Sequence, residues 1–282
     1  MLEAILSLGG IGLTAAIILG LAAKKFAVEV DPRELALLEA LPGANCGACG
    51  YPGCSGFAQA LAEGRADPGD CTPGGKETVE QVARILGVAA VSSDPQVAVV
   101  LCQGDRQHAA DKYRYLGIDD CNAAQKLIGG PKHCPGGCLG LGSCLRVCPF
   151  GAIEITPQGL AVISREFCTG CTKCVAVCPR ELIRMTPAAA EVHVLCNSHD
   201  KGAVVRKYCS IGCIACHICH KAAPQAYIVE DFLARVVYEH HGDAAPGVEK
   251  CPTKCIRDFA KGYPAGSSFL GPASSSKPDI AA

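Results

Sequence analysis

Residues 168–179 read CTGCTKCVAVCP, so Cys168, Cys171, Cys174 and Cys178 are separated by two, two and three residues and followed by Pro179. This is the bacterial ferredoxin run, in which three thiolates ligate one [4Fe–4S] cluster and the fourth crosses to a partner cluster. The partner run lies upstream as Cys138, Cys144 and Cys148 followed by Pro149, with Leu141 where a second cysteine is expected. The crossed rule completes one set: Cys148, Cys168, Cys171 and Cys174. The other set holds Cys138, Cys144 and Cys178 and lacks a ligand, for which Cys134, the nearest upstream cysteine, is the candidate. Between the runs, AIEI-TPQG-LAVI alternates around a Pro/Gly turn, the pattern of a β-hairpin.

Downstream, Cys213, Cys216 and Cys219 begin another run whose fourth position is Ala223, and Cys251-Pro252 ends a run whose first three cysteines are missing. The losses are complementary. One crossed set (Cys213, Cys216, Cys219, Cys251) survives whole and the other is wholly gone, which predicts a single-cluster ferredoxin domain. An internal repeat frames both units: VAVVLCQGD (97–105) resembles VHVLCNSHD (192–200), and each is followed by Cys-x3-Cys, at Cys134/Cys138 and Cys209/Cys213. Cys102, Cys121, Cys196 and Cys209 read equally as further iron ligands or as buried free thiols, and Cys255 as a buried thiol. His217 and His220 read as solvated, since the neighbouring thiolates already satisfy the ligand count.

Upstream, Cys46, Cys49, Cys54 and Cys71 form a C-x2-C-x4-C-x16-C set within ANCGACGYPGCSGFAQALAEG and beyond it. Four thiolates suit the iron corners of a cubane, and structural zinc is the competing reading. Helices are expected over 31–41, with Asp31 as N-cap and Pro32 at the first position, and over 56–64. Ahead of these, Ala4–Ala23 carries no charge, long enough to span a bilayer, and Lys24 and Lys25 follow it. Acidic Glu3 before the run argues against a signal peptide. The basic pair puts everything after it on the cytoplasmic side of the inner membrane, behind a single-pass anchor.

Twenty-one cysteines in 282 residues exclude an ordinary enzyme core, and their crowded runs and odd number exclude a disulfide framework. With no Trp and only 5% aromatic residues, conventional cores are small, and folding leans on the inorganic centres. Net charge is −1 and no basic stripe with aromatics is present, so nucleic acid is not an expected partner. No dinucleotide fingerprint or P-loop is found. The expected fold class is α+β: a transmembrane helix (1–25), a linker (26–34), a small helical [4Fe–4S] domain (35–90) and a strand-like lead-in (91–133). A two-cluster ferredoxin-like domain (134–190), a single-cluster one (191–261) and a disordered Pro/Gly/Ser-rich tail (262–282) follow. The ligand sets imply about four [4Fe–4S] clusters, or five if the four ambiguous cysteines ligate.

With these motifs placed, the chain resembles the B subunits of the Rnf complex, the ion-translocating ferredoxin:NAD oxidoreductase. The resemblance rests on the apolar helix followed by NCGACGYPGC…C, and on CPGGCLGLGSCLRVCPFGAI and CTGCTKCVAVCP. It implies an electron-transfer component without stand-alone catalysis. Such a component accepts electrons from soluble ferredoxin and passes them to other membrane subunits, among them a flavoprotein that reduces NAD. A related complex, which reduces a redox-sensing transcription regulator, uses an equivalent component and is the alternative. Ala223 and the decayed last run depart from the usual longer form.

Overall fold

The computed structural model describes residues 2–25, 31–90, 94–262 and 267. The tail expected over 262–282, apart from residues 262 and 267, and most of the linker expected at 26–34 fall outside the described residues.

Helix α1 runs Leu2–Lys25 and ends on Lys24 and Lys25. Its described leucines and isoleucines, Leu13, Ile17, Ile18, Leu19 and Leu21, are all exposed. Among the described residues, no helix is long and apolar enough to cross a membrane.

Three helices follow: α2 (Pro32–Ala40), α3 (Gly53–Ala62) and α4 (Gly75–Leu86). The Asp31 side chain accepts from the Arg33 N–H and caps α2, as the Asp-Pro start predicts. Helix α3 begins three residues earlier than its periodicity suggested, because Gly53 takes the turn (φ 83) that brings Cys54 onto its first turn. Leu37, Phe57, Leu61 and Val82 bury the facing sides of these helices in one small core, which Cys71 joins.

The remainder is one architecture used twice. In the first unit come β1 (Gln96–Val100), α5 (Cys121–Lys126), α6 (Ser143–Arg146), β2 (Ile153–Ile155), β3 (Ala161–Ile163), α7 (Lys173–Val177) and β4 (Ile183–Pro187). In the second come β5 (Val192–Val194), α8 (Gly202–Tyr208), α9 (Ile218–Ala222), β6 (Tyr227–Glu230), β7 (Leu233–Val236), α10 (Ala245–Lys250) and β8 (Ile256–Asp258). Strands β2 and β3 form the expected hairpin, with Glu154 opposite Val162. Lead-in strand β1 pairs antiparallel with β4, from Gln96 opposite Pro187 to Val100 opposite Ile183, so it closes the same unit around the hairpin. The second unit repeats this, β5 pairing with β8 around the β6–β7 hairpin. The repeated VAVVLC and VHVLC segments are therefore the first strands of two equivalent units.

Candidate iron–sulfur sites

Short helices explain the crossed pattern. Cys144 lies on α6 and Cys148 just beyond it; Cys174 lies on α7 and Cys178 caps its end. Helical geometry has ended by Cys148 and Cys178, so each is released from the helix face that carries Cys144 or Cys174 and is free to serve the neighbouring site.

The cysteines gather into five sets of four. In set I, Cys46, Cys49 and Cys54 surround Cys71. Asn45 Oδ1 accepts from the Cys54 N–H at 2.8 Å and holds the loop. In set II, Cys148, Cys168, Cys171 and Cys174 line a cavity of about 310 Å³ with Ala98, Ala152 and Ile163. The Ala98 N–H donates to Cys168 Sγ at 3.3 Å.

The charged neighbours of Cys144 are Cys138, Cys121 and Cys178, together with Cys174 of set II, and the first three are grouped with Cys144 as set III. The Cys121 N–H donates to Ser143 Oγ, and Asn122 donates to the Val177 carbonyl at 3.3 Å. The head of α5 is thus tied to the residues preceding Cys144 and Cys178. Cys134, expected at this corner from its closeness in sequence, lines a different cavity. That cavity, of about 350 Å³, is bounded by Cys102, Cys134, Cys196 and Cys209, which form set IV. Two of its thiols come from each unit. A Cβ on Gly136 would overlap the Asn197 carbonyl oxygen, so glycine is what lets the Cys134 loop approach the strand end that carries Cys196.

Set V is Cys213, Cys216, Cys219 and Cys251, around a cavity of about 310 Å³ that Cys255 also lines. Cys255 is buried, its Sγ 3.6 Å from that of Cys251. Hydrogen bonds from its thiol lower the Cys213 and Cys251 thiols and raise its own. His220 is not simply solvated: its Nδ1 lies 2.6 Å from the Tyr227 carbonyl oxygen.

The second unit also reveals why it has room for one set only. Counted from the matching Cys-Pro positions, Ala223 stands where Cys148 stands, Gly247 where Cys174 stands, and Tyr227 where cavity-lining Ala152 stands. The Tyr227 ring is fully buried against Gly247, where any Cβ would collide with it, and its hydroxyl donates to the Ala244 carbonyl at 2.6 Å. A packed tyrosine fills the place of the missing centre.

The donor sets fit [4Fe–4S] clusters. Thiols line cavities rather than a point, and among the described residues no three Cys, His, Asp or Glu side chains converge on a single ion. Burial pushes Cys71 and Cys134 up to about 11 and Cys138, Cys174 and Cys196 up to about 12, so iron must displace their protons on binding. Backbone N–H groups aimed at Cys102, Cys168 and Cys213 favour the bound thiolate.

Adjacent sets lie within electrostatic reach of one another. Cys46 acts on Cys171, Cys174 on Cys144, and Cys213 on Cys196. The Cys138 N–H donates to Cys102 Sγ at 3.4 Å, joining set III to set IV. The spatial order is therefore I, II, III, IV, V.

Repeated ferredoxin units carrying four-thiol sets define a polyferredoxin-type iron–sulfur protein. Residues 41–73 match a family described as a putative Fe–S cluster, and residues 135–185 match a 4Fe–4S dicluster domain. Over 91% of its length the chain is 40% identical to the B subunit of an ion-translocating oxidoreductase complex from Methanosarcina acetivorans, covering 97% of that protein. It is 43% identical to the B subunit of the Na(+)-translocating ferredoxin:NAD(+) oxidoreductase complex from Acetobacterium woodii, over 91% of this chain and 78% of that one. A proton-translocating counterpart from Clostridium ljungdahlii is 41% identical over 89% and 90% of the two chains. The chain belongs to the family of B subunits of Rnf-type ion-translocating oxidoreductase complexes, and it is an iron–sulfur electron-transfer subunit of such a complex.

Proposed function

We propose that this protein carries five [4Fe–4S] centres in a single file and relays electrons from reduced soluble ferredoxin toward the other Rnf-type membrane subunits and an NAD-reducing flavoprotein. The observation that carries this reading is the partition of twenty cysteines into five contiguous four-thiol sets, with Cys255 left over. Bound clusters would supply one-electron redox chemistry at each set. The chain's own part is to fix the thiolates on short helices and loops, exclude water and donate backbone N–H groups to sulfur. The donor and acceptor follow from relatives named as parts of ferredoxin:NAD(+) oxidoreductase complexes.

Helix α1 is assigned as a single-pass anchor. Its described Leu and Ile side chains, Leu13, Ile17, Ile18, Leu19 and Leu21, are exposed, and lipid would cover them. Lys24 and Lys25 in its last turn favour a cytoplasmic location for everything after it.

The test is iron and acid-labile sulfide on anaerobically purified protein, with EPR of the reduced form. About twenty irons per chain with interacting cluster signals support the five-centre relay. About sixteen would remove one set, and zinc without sulfide would overturn the electron-transfer assignment. Recovery of the chain from an alkaline-washed membrane fraction, and its release on deletion of 1–30, tests the anchor.

A further inference from the structure

Sets III and IV differ from the others in the charge buried beside them. Arg180, two residues beyond Cys178, is 7% exposed. Its Nη1 donates to the carbonyls of Cys134 (2.7 Å) and Gly137 (2.6 Å), its Nη2 to that of Gly129 (2.5 Å) and its Nε to Gln125 Oε1 (2.9 Å). Its own carbonyl accepts from Asn197 Nδ2 at 3.3 Å. The guanidinium thus touches Cys134 of set IV, the residue before Cys138 of set III, and the helix headed by Cys121. Its backbone is bonded to the residue after Cys196.

Every one of these acceptors is neutral, and among the described residues neither Arg180 nor Lys132 has a carboxylate partner at ion-pair distance. The anionic groups acting on Arg180 are the thiols Cys134, Cys138, Cys102 and Cys178, drawn from sets III and IV alone. Lys132 repeats the arrangement on the other side. It is 3% exposed, its Nζ donates to the Gly104 carbonyl, and it acts on Cys138 and Cys209. Among the described residues no other Lys or Arg is buried, and the leading charged neighbours of Cys71, Cys171, Cys174 and Cys219 are other thiols.

Burying a cation without a counter-ion is costly unless a negative charge lies nearby. An electron added at set III or IV is such a charge, and in a low-dielectric interior a fixed cation stabilises it. We infer that Arg180 and Lys132 are positioning residues that raise the reduction potentials of the two central sites above those they would otherwise have. The inference rests on the ligand sets given above. In function it shifts electron occupancy toward sets III and IV relative to a file without these cations.

The test uses the full-length, cluster-loaded chain and its Arg180→Met, Arg180→Lys and Lys132→Met variants, read by iron content and by potentiometric EPR. Cys102→Ser and Cys121→Ser identify which midpoints belong to sets IV and III. At full iron, Arg180→Met and Lys132→Met should move those two midpoints to more negative values. Each should lower the equilibrium constant for reduction about tenfold, which is about 59 mV for one electron. The other midpoints should stay in place, and Arg180→Lys should retain most of the unaltered potential. Unmoved midpoints at full iron, or equal shifts at all sites, overturn the inference. Should Arg180→Met lose iron, Lys132→Met, which breaks a single carbonyl contact, decides alone by the same criterion. A shortfall of iron in the unaltered chain sinks the ligand sets and not the cation role.

Discussion

The Cys121 N–H donates to Ser143 Oγ at 2.7 Å, and Ser143 Oγ donates in turn to Asp120 Oδ2 at 2.8 Å. Asp120 also caps α5 by accepting from the Ala123 N–H, and Arg146 binds the same carboxylate. Two helices distant in sequence are clamped so that Cys121 is held near Cys144. The first prediction follows. Cys121→Ser should convert set III to a three-iron centre or cost about four irons per chain, leaving set IV intact. Cys134→Ser should alter set IV and spare set III. EPR of the oxidised proteins distinguishes the two, and the reversed pattern would restore Cys134 to the corner beside Cys138.

Tyr227 gives the second. Its ring fills the place that a second centre takes in the other unit, so Tyr227→Ala leaves a cavity and removes one of the two hydrogen bonds to the Ala244 carbonyl, the other coming from the Gly247 N–H. A loss of about 3–5 kcal/mol is expected for emptying a buried aromatic site, measured by urea unfolding of the loaded protein. The cavity lacks cysteines, so iron per chain should not rise. A gain of iron would contradict this account of the second unit.

The third concerns pH. His193 is fully buried; its Nδ1 lies 3.0 Å from the Tyr238 hydroxyl, and its ring packs on Phe259 with centroids 5.0 Å apart. Its Nε2 has no partner among the described residues. Burial, aided by the charge of Arg165, pushes its pKa down to about 4 from 6.5. The unfolded chain then binds more protons between those values. Stability from this residue is complete above about 6.5 and falls as pH drops toward 4, by up to about 3 kcal/mol. Comparing urea midpoints of the unaltered protein and His193→Phe at pH 7.5, 6.5 and 5.5 should show a shallower decline in the variant. Parallel declines would remove His193 as a source.

Sets I, II and V were legible because their thiols are fixed by short local spacings that only a cluster loop needs. Their crossed ligands, Cys148 and Cys251, were legible because the ferredoxin rule carries over. Set IV was not, since its members come from strand ends and loops of two units and share no local spacing. Its signal was the duplication itself: equivalent pairs, Cys102/Cys134 and Cys196/Cys209, meet where the units meet. Cys121 carries no motif at all. Leu141 announced a missing ligand and closeness in sequence favoured Cys134, whereas the Ser143 and Val177 contacts make Cys121 the candidate proposed for that corner. Arg180 and Lys132 belong to no motif, and their burial is visible only in the fold.

The shared ownership of set IV bears on how the protein is made. Cys46 to Cys71 emerge early from the ribosome, and sets II and III are complete once Cys178 has followed. Cys102 and Cys134 must then wait, through several seconds of synthesis, until Cys196 and Cys209 arrive. A nascent chain stalled before Cys196 would display two unmatched thiols, open to oxidants, beside sets I to III with all their ligands present. Set IV therefore gains its last ligand only after sets I, II and III have theirs, and set V, which needs Cys251, is completed last, so the second unit acts as the latch that ends maturation.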